Sequence, residues 1–402
     1  MSRFLFFCVL VVLSVSQSSA QVRILFDCTK AETAGNADWV IDADLHDVYW
    51  HPYAQPGSGH GSDPQILPTP AQNTVTTSTA ETYWEGSLSS WGIDCVNKGY
   101  EVETLPTTGT ITYGDNTNAQ DLSNYKVYVM DEPNIKFTTL EKTAIMQFVQ
   151  HGGGLFMISD HNISDRNNDG WDSPNIWNDF MGTVTPQNPF GIRFNLENFS
   201  STSHNVATLP NDSILHGPMG SVSQLQFNGA TSMTLSPDSN SSVKGIIYLT
   251  NASNVGDSGV MFAHARFGKG KVAAISDSSP FDDGTGNPQC TLYSSYATGG
   301  GGNHRKLIMN ATIWLAQSDS STAAAVNEVS EDLYFEAYKS NSTTLKVVTD
   351  LGGRQPLEIF DILGNKVIAK EITSTTTNVD IAQLAQGIYL VRVGNNTRKF
   401  VR

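Results

Sequence analysis

Basic side chains are scarce in this 402-residue chain: 24 Lys and Arg face 39 Asp and Glu, and the formal net charge is −15. Neutralising a polyanion takes a basic stripe, so nucleic acid is excluded as an ordinary partner. Only 16% of residues are charged, and Thr, Ser, Asn and Gly are plentiful, which describes a neutral-to-acidic surface suited to conditions outside a cell. Beyond residue 20 no apolar run reaches the length with which a helix spans a bilayer, so a membrane-embedded mature chain is not expected. Cysteine is rare as well: Cys8 falls in the leading apolar segment, leaving Cys28, Cys95 and Cys290. That odd set allows one disulfide at most, with Cys28 and Cys95 as the candidate pair, or three buried thiols acting as small hydrophobes. No Gly-x-Ser-x-Gly elbow surrounds Ser278 and Ser279. The run Gly299 to Gly302 lacks the Lys-Ser/Thr of a phosphate loop and reads as flexible, and no standard zinc spacing is present.

What is there begins with an export signal. Met1-Ser2-Arg3 is a short basic start, Phe4 to Val15 is apolar, and Ser18-Ser19-Ala20 forms a small-residue cleavage site, so residues 1–20 are expected to leave. Residues 21–317 alternate strand and helix signals. Strand-like runs stand at Val22 to Phe26, Tyr100 to Leu105, Lys126 to Met130, Leu155 to Ser159, Gly245 to Leu249, Val260 to Ala263 and Val272 to Ser276. Helices are expected over Thr79 to Asn97, from the Thr138 and Glu141 capping box to Gln150, and from about Asn303 to Ala316. Near-continuous apolar strands alternating with helices predict an α/β domain, a three-layer, doubly wound, mostly parallel sheet. A small polar linker follows at residues 318–331. Short strands separated by Gly352-Gly353 and Gly364-Asn365 then predict a small all-β sandwich over residues 332–402.

Three stretches of the tail carry a resemblance: Leu357 to Val367, Leu384 to Val393, and the basic end Arg398-Lys399-Phe400-Val401-Arg402. Together they resemble the C-terminal sorting domain of the type IX secretion system of Bacteroidetes and their relatives. The resemblance implies the type IX secretion machinery as a partner, passage across the outer membrane, and a protein that is secreted or attached to the cell surface.

In the large domain, Asp131-Glu132-Pro133-Asn134, the run Phe148 to Ser159 and the run Phe267 to Asp277 resemble the class I glutamine amidotransferase-like superfamily, in its branches outside true amidotransferases. Such a resemblance implies a fold and not an activity. A true amidotransferase places a cysteine nucleophile in the turn after the Gly-rich strand. Here that turn reads Ser159-Asp160-His161-Asn162, so glutamine hydrolysis by a thiolate is not expected.

Ligands of open α/β sheets bind beyond the carboxyl ends of the strands. Asp27, Glu132, Asp160, His161 and Asp277 all fall at such ends, and a set of carboxylates and an imidazole can bind a divalent metal or relay protons. Each also has a plainer role as a helix cap, ion-pair partner or buried histidine. Asp165, Asn167, Asp169 and Asp172 follow an Asp-x-Asn-x-Asp-Gly-x-Asp spacing suited to a hard cation, calcium first, with Ile176 where a complete EF-hand has glutamate. The plainer reading is an Asn/Asp-rich turn that satisfies its own backbone. A long loop after the first strand adds His46, His51 and His60 among Tyr49, Trp50 and Tyr53. Two functions follow. One is a secreted metal-dependent hydrolase acting on an extracellular polymer or small molecule; the other is a non-catalytic, calcium-stabilised protein that binds a glycan or a surface.

Overall fold

The computed structural model describes residues 21–34, 37–42, 72–84, 86–285 and 293–318, and in the tail 335–339, 341, 343–349, 355–362, 364–374, 376–393 and 396–402. The export signal, the loop with His46, His51 and His60, Cys290 and nearly all of the linker lie outside the described residues. The chain divides into two compact units, residues 1–320 and 321–402.

In the first unit the elements run β1 (Arg23–Asp27), α1 (Ser89–Asn97), β2 (Glu101–Leu105), β3 (Val127–Asp131), α2 (Thr139–Gln150), β4 (Gly154–Ile158) and α3 (Ser173–Thr183). Then come β5 (Ile192–Phe194), β6 (Phe199–Ser203), the two-residue strands β7 (His216–Gly217) and β8 (Gly220–Ser221), β9 (Leu225–Ala230), β10 (Met233–Leu235), β11 (Lys244–Tyr248), β12 (Val260–Phe267), β13 (Gly270–Ile275) and α4 (Gly299–Ala316). The main sheet has nine strands in the order β2-β1-β3-β4-β13-β12-β10-β5, with β11 paired to β12. From β2 to β13 the pairings are parallel, and from β13 outward they are antiparallel. The expected α/β sheet is present, with four antiparallel strands extending one edge. The direction of the winding reverses between β1 and β3, which puts the crevice at the carboxyl ends of those strands.

Every residue of β3 and β4 is buried, because helices cover both faces and leave no alternation to read. Trp91 of α1 packs against Phe26, Phe156 and Phe281 with ring centroids 5.0, 5.4 and 5.0 Å apart, a cluster directly beneath the strand ends. Each such pair contributes roughly 0.5–1.5 kcal/mol beyond its burial. The capping box forms as expected: Glu141 N donates to Thr138 Oγ1 at 3.3 Å, and Thr138 N donates to Glu141 Oε2 at 2.7 Å.

Two expectations are corrected. The first helix begins at Ser89 and not at Thr79. Ser87 N donates to Asp38 O and Leu88 N to Val40 O, so the backbone there pairs with the 38–40 segment instead of with itself. A Cβ on Gly86 would lie 2.1 Å from Val40 O, which shows how close that approach is. The glycine run is not a loose loop either: Gly300, Gly301 and Gly302 take left-handed φ values of 55°, 61° and 79°, and regular helix starts at Asn303. Three successive residues of that hand require glycine.

In the second unit β14 (Phe335–Lys339), β15 (Thr344–Thr349) and β18 (Thr376–Asp380) form one antiparallel sheet. β17 (Lys366–Ile372), β16 (Gln355–Asp361), β19 (Ile388–Val393) and β20 (Asn396–Val401) form another. Leu345, Val347 and Val379 of the first sheet and Leu357, Ile359, Val391 and Val393 of the second share one core. In β19 Tyr389, Val391 and Val393 point inward while Ile388, Leu390 and Arg392 point out, the period of two expected of a one-sided strand.

Candidate active site

Four of the five expected strand-end residues converge. Glu132, directly after β3, holds φ +44°, a left-handed conformation uncommon for a residue with a side chain and one that costs about 1–3 kcal/mol. Asn134 Nδ2 donates to Glu132 O at 2.8 Å and supports that turn. The Glu132 side chain is fully buried and accepts four hydrogen bonds: from Arg166 Nε at 2.5 Å, Arg166 Nη2 at 3.1 Å, Trp39 Nε1 at 2.7 Å and Ser278 Oγ at 2.9 Å. Arg166 Nη2 also reaches Asp160 Oδ2 at 3.3 Å, so one guanidinium joins the ends of β3 and β4.

Burial pushes the Asp160 carboxyl well above the ordinary range, and the neighbouring Glu132 charge adds to this while Arg166 opposes it. Burial works against the Arg166 charge too, but Glu132 and Asp160 outweigh it and hold the guanidinium above its ordinary value. His161 lies beside Asp160, with Nε2 3.7 Å from Oδ2, and Nδ1 is 2.6 Å from Asn162 O. A carbonyl only accepts, so Nδ1 carries a proton and Nε2 faces Asp160. The imidazole is 24% exposed against 4% for the Asp160 side chain, which makes His161 the member that meets solvent. Gly229, at φ +65°, makes room for it: a Cβ there would stand 2.9 Å from His161 Cδ2.

Asp277, after β13, accepts from Ser279 N at 3.0 Å, Ser279 Oγ at 2.7 Å and Asn228 N at 2.8 Å. Burial still lifts its carboxyl to about 7, since those bonds offset only part of the desolvation. A fourth carboxyl, passed over in the sequence in favour of its neighbour, is Asp131. It is 2% exposed, neither oxygen accepts a hydrogen bond among the described residues, and burial with the nearby Glu132 and Asp277 charges raises it well above the ordinary range.

Asp27 is not part of this group. It accepts from Tyr128 Oη at 2.7 Å and from Thr29 N at 2.8 Å, and it lies beside Glu32 in a second buried carboxyl pair. Burial raises both, Glu32 the further, with Asp27 adding to the Glu32 shift. Lys30, whose charge favours ionised Asp27, pairs with Glu141 at 2.6 Å.

The Asp165 to Asp172 loop closes on itself. Asp165 accepts from Asp169 N at 3.0 Å and Gly170 N at 2.8 Å, and Asp169 Oδ1 accepts from Trp171 N at 2.9 Å. Asp172 caps α3, taking Asn175 N at 3.0 Å on one oxygen and Ile163 N at 2.7 Å on the other. Asn167 Nδ2 donates to Asn134 O, and Arg166 N donates to Asn134 Oδ1 at 3.0 Å, which fastens the loop to the Glu132 turn. Among the described residues no group of three or more His, Cys, Asp or Glu is disposed to hold a metal ion. The same loop places Arg166 against Glu132 and Asp160. Cys28 and Cys95 are buried, and no disulfide joins them.

Residues 339–402 match the family model described as a secretion system C-terminal sorting domain. The chain is therefore exported by type IX secretion to the cell surface or the extracellular space, and the secretion machinery is a partner of its tail. No helix among the described residues is long and apolar enough to cross a membrane. No curated protein matches the chain. Among solved structures it is similar to the "mmIFT52 N-terminal domain" at 12% identity and TM-score 0.41, covering 74% of this chain and 98% of that one. It is also similar to the Cytoplasmic Protein STM3548 from Salmonella typhimurium, at 14% identity and TM-score 0.35 over 56% of this chain and 86% of that one. A third is the Exo-beta-1,4-mannosidase Op5Man5 from Opitutaceae bacterium strain TAV5, at 10% identity and TM-score 0.33 over 74% of this chain and 36% of that one. Likeness of this degree carries nothing about activity.

Proposed function

We propose that the exported α/β domain is a hydrolase that works by acid–base chemistry at the rim formed by Glu132, Asp160, His161 and Asp277. The observation that carries this reading is a charge imbalance: the buried carboxyls of Asp131, Glu132, Asp160 and Asp277, with buried Asp282 acting on Asp131, and among the described residues one guanidinium, of Arg166, contacting Glu132 and Asp160. Like charges packed this closely out of water do not all ionise, so the group retains a proton near neutral pH. Titratable groups whose environments separate their proton affinities mark acid and base partners. Here Arg166-paired Glu132 is the base and protonated Asp160 the acid. His161, with Nε2 toward Asp160 and its ring at the surface, carries the proton between Asp160 and the substrate. Outside the cell the co-substrate is water, which gives hydrolysis as the reaction.

The glutamine amidotransferase-like resemblance belongs to this reading as well, since chemistry at the carboxyl ends of parallel strands is what such a sheet offers. The Asp165 to Asp172 loop serves by holding Arg166, and its hydrogen bonds maintain its shape without a cation. The test is a panel of extracellular glycans, esters and amides offered to the wild type, Asp160→Asn and Glu132→Gln, with circular dichroism as the folding control. Turnover by the wild type that both folded variants lose supports the proposal. No turnover across the panel, or full rates in Asp160→Asn, would overturn it in favour of a non-catalytic binding protein.

A further inference from the structure

The face that α2 turns to solvent carries no charge. Thr139, Leu140, Thr143 and Gln147 are exposed and Gln150 is half-buried. The two charged residues of the helix are engaged elsewhere. Glu141 accepts from Thr138 N at 2.7 Å and pairs with Lys30 Nζ at 2.6 Å, while Lys142 Nζ reaches Asp179 Oδ2 at 2.5 Å and donates to Thr183 Oγ1 at 2.7 Å. Lys or Glu would favour the helix more than Thr139 and Thr143 do, so helix stability does not account for the choice.

A cavity of about 510 Å³ opens along this face, walled on its other side by Thr183 at the end of α3 and by Val184 and Thr185 after it. That volume is in the range of small-ligand sites. From Thr139 to Gln150 the helix rises about 16 Å, so the cavity is an elongated groove. Asp179 and Thr183 both belong to α3, and through them Lys142 ties the two walls together. The hydroxyls of Thr139 and Thr185 and the amides of Gln147 and Gln150 line the groove without a hydrogen bond to any described residue. Thr143 Oγ1 donates to Thr139 O at 2.8 Å and keeps its lone pairs. Met146, 8% exposed, and half-buried Val184 add apolar surface.

We propose that this groove is a binding site for an uncharged oligosaccharide. Each threonine hydroxyl can donate and accept, and each primary amide offers two donors and an acceptor, which matches sugar hydroxyls that also do both. The C–H faces of the sugar rings lie on Met146 and Val184. No carboxylate lines the groove, and its ammonium is neutralised by Asp179, so neither a cationic nor an anionic ligand finds a charged partner there. None of the lining residues belongs to the rim of Glu132, Asp160, His161 and Asp277, so binding here is independent of chemistry there.

The test is calorimetric titration of the full chain, as wild type and as Asp160→Asn, with cellotriose, maltotriose and mannotriose, and with trigalacturonate as the charged counterpart. At least one neutral trisaccharide binds both proteins alike, and trigalacturonate does not match it. The double variant Gln147→Ala, Gln150→Ala changes only side chains outside the core, with circular dichroism as the folding control. It weakens the neutral ligand by about 10-fold or more, the value of two neutral hydrogen bonds. No binding of any neutral trisaccharide, equal binding of trigalacturonate, or an unchanged affinity in the double variant would each overturn the assignment. So would a loss of binding in Asp160→Asn, which would put the sugar at the rim.

Discussion

Replacing Asp277 by asparagine tests the electrostatics of the rim through stability alone. Asp277 is fully buried, and its carboxyl titrates at about 7 instead of the ordinary 3.8. Between those two values the native protein keeps a proton that the unfolded chain has released. The native state then binds more protons, so stability falls as pH rises through the window. At about 1.4 kcal/mol per pH unit, the interval from 3.8 to about 7 sets the loss near 4 kcal/mol for this group. Asparagine keeps the shape and cannot ionise. It presents one oxygen where Asp277 accepts from Ser279 N, Ser279 Oγ and Asn228 N, a forfeit of about 1–3 kcal/mol. Asp277→Asn should therefore be less stable than the wild type at about pH 4, before the linkage loss has begun, and equal or more stable at about pH 8. Asp131 and Asp160 titrate in the same direction, so the variant flattens the pH profile without levelling it. Urea unfolding at a series of pH values, with m-values compared, gives the two curves. Parallel curves would refute the reasoning.

Other outcomes follow from the same contacts. Arg166→Ala leaves buried Glu132 and Asp160 without their cation and should cost about 3–5 kcal/mol in urea unfolding, whereas Arg166→Lys keeps the charge, loses the fork, and should fall between. Asp172→Ala removes the cap of α3 and the acceptor for Ile163 N, a loss of about 1–2 kcal/mol by thermal melting. Chelator should leave the melting temperature of the wild type unchanged, and a fall on chelation would show that the loop holds a cation after all. Deleting residues 339–402 should abolish export, read by immunodetection in culture medium and cell fractions, and normal export of the shortened chain would contradict the sorting role of the tail.

The strands were legible because runs such as Val127 to Asp131 and Gly154 to Ile158 are buried on both faces and contain little else that an apolar stretch of that length could be. The first helix was overextended because Trp84, Leu88, Trp91 and Cys95 fall at helical spacing. All four are buried, but Trp84 and Leu88 reach the core from a segment that pairs with residues 38–40. Strand ends also pointed to residues that stand together in the fold: Glu132, Asp160 and Asp277 are buried side by side, with His161 at the surface beside Asp160. Asp27 diverged for a reason that no local pattern carries: its partner is Tyr128, 101 residues away on the neighbouring strand. Arg166 went unread because it stands among acidic residues whose spacing suggested a cation. In the fold Asp165, Asp169 and Asp172 accept from nearby backbone amides, Asn167 donates to Asn134 O, and Arg166 of the same loop reaches Glu132 and Asp160. Asp131 was hidden by its neighbour, since only burial distinguishes a carboxyl without partners from an ordinary strand end.

The retained proton can be observed directly. Carbon-13 NMR of aspartate-labelled protein, titrated from acid to alkaline pH with Asp160→Asn and Asp277→Asn to assign the signals, follows each carboxyl separately. Protonated Asp160 and Asp277 persisting near neutral pH, long after exposed aspartates have ionised, is the predicted result. Both carboxyls titrating with the exposed aspartates would contradict the acid–base site at its foundation.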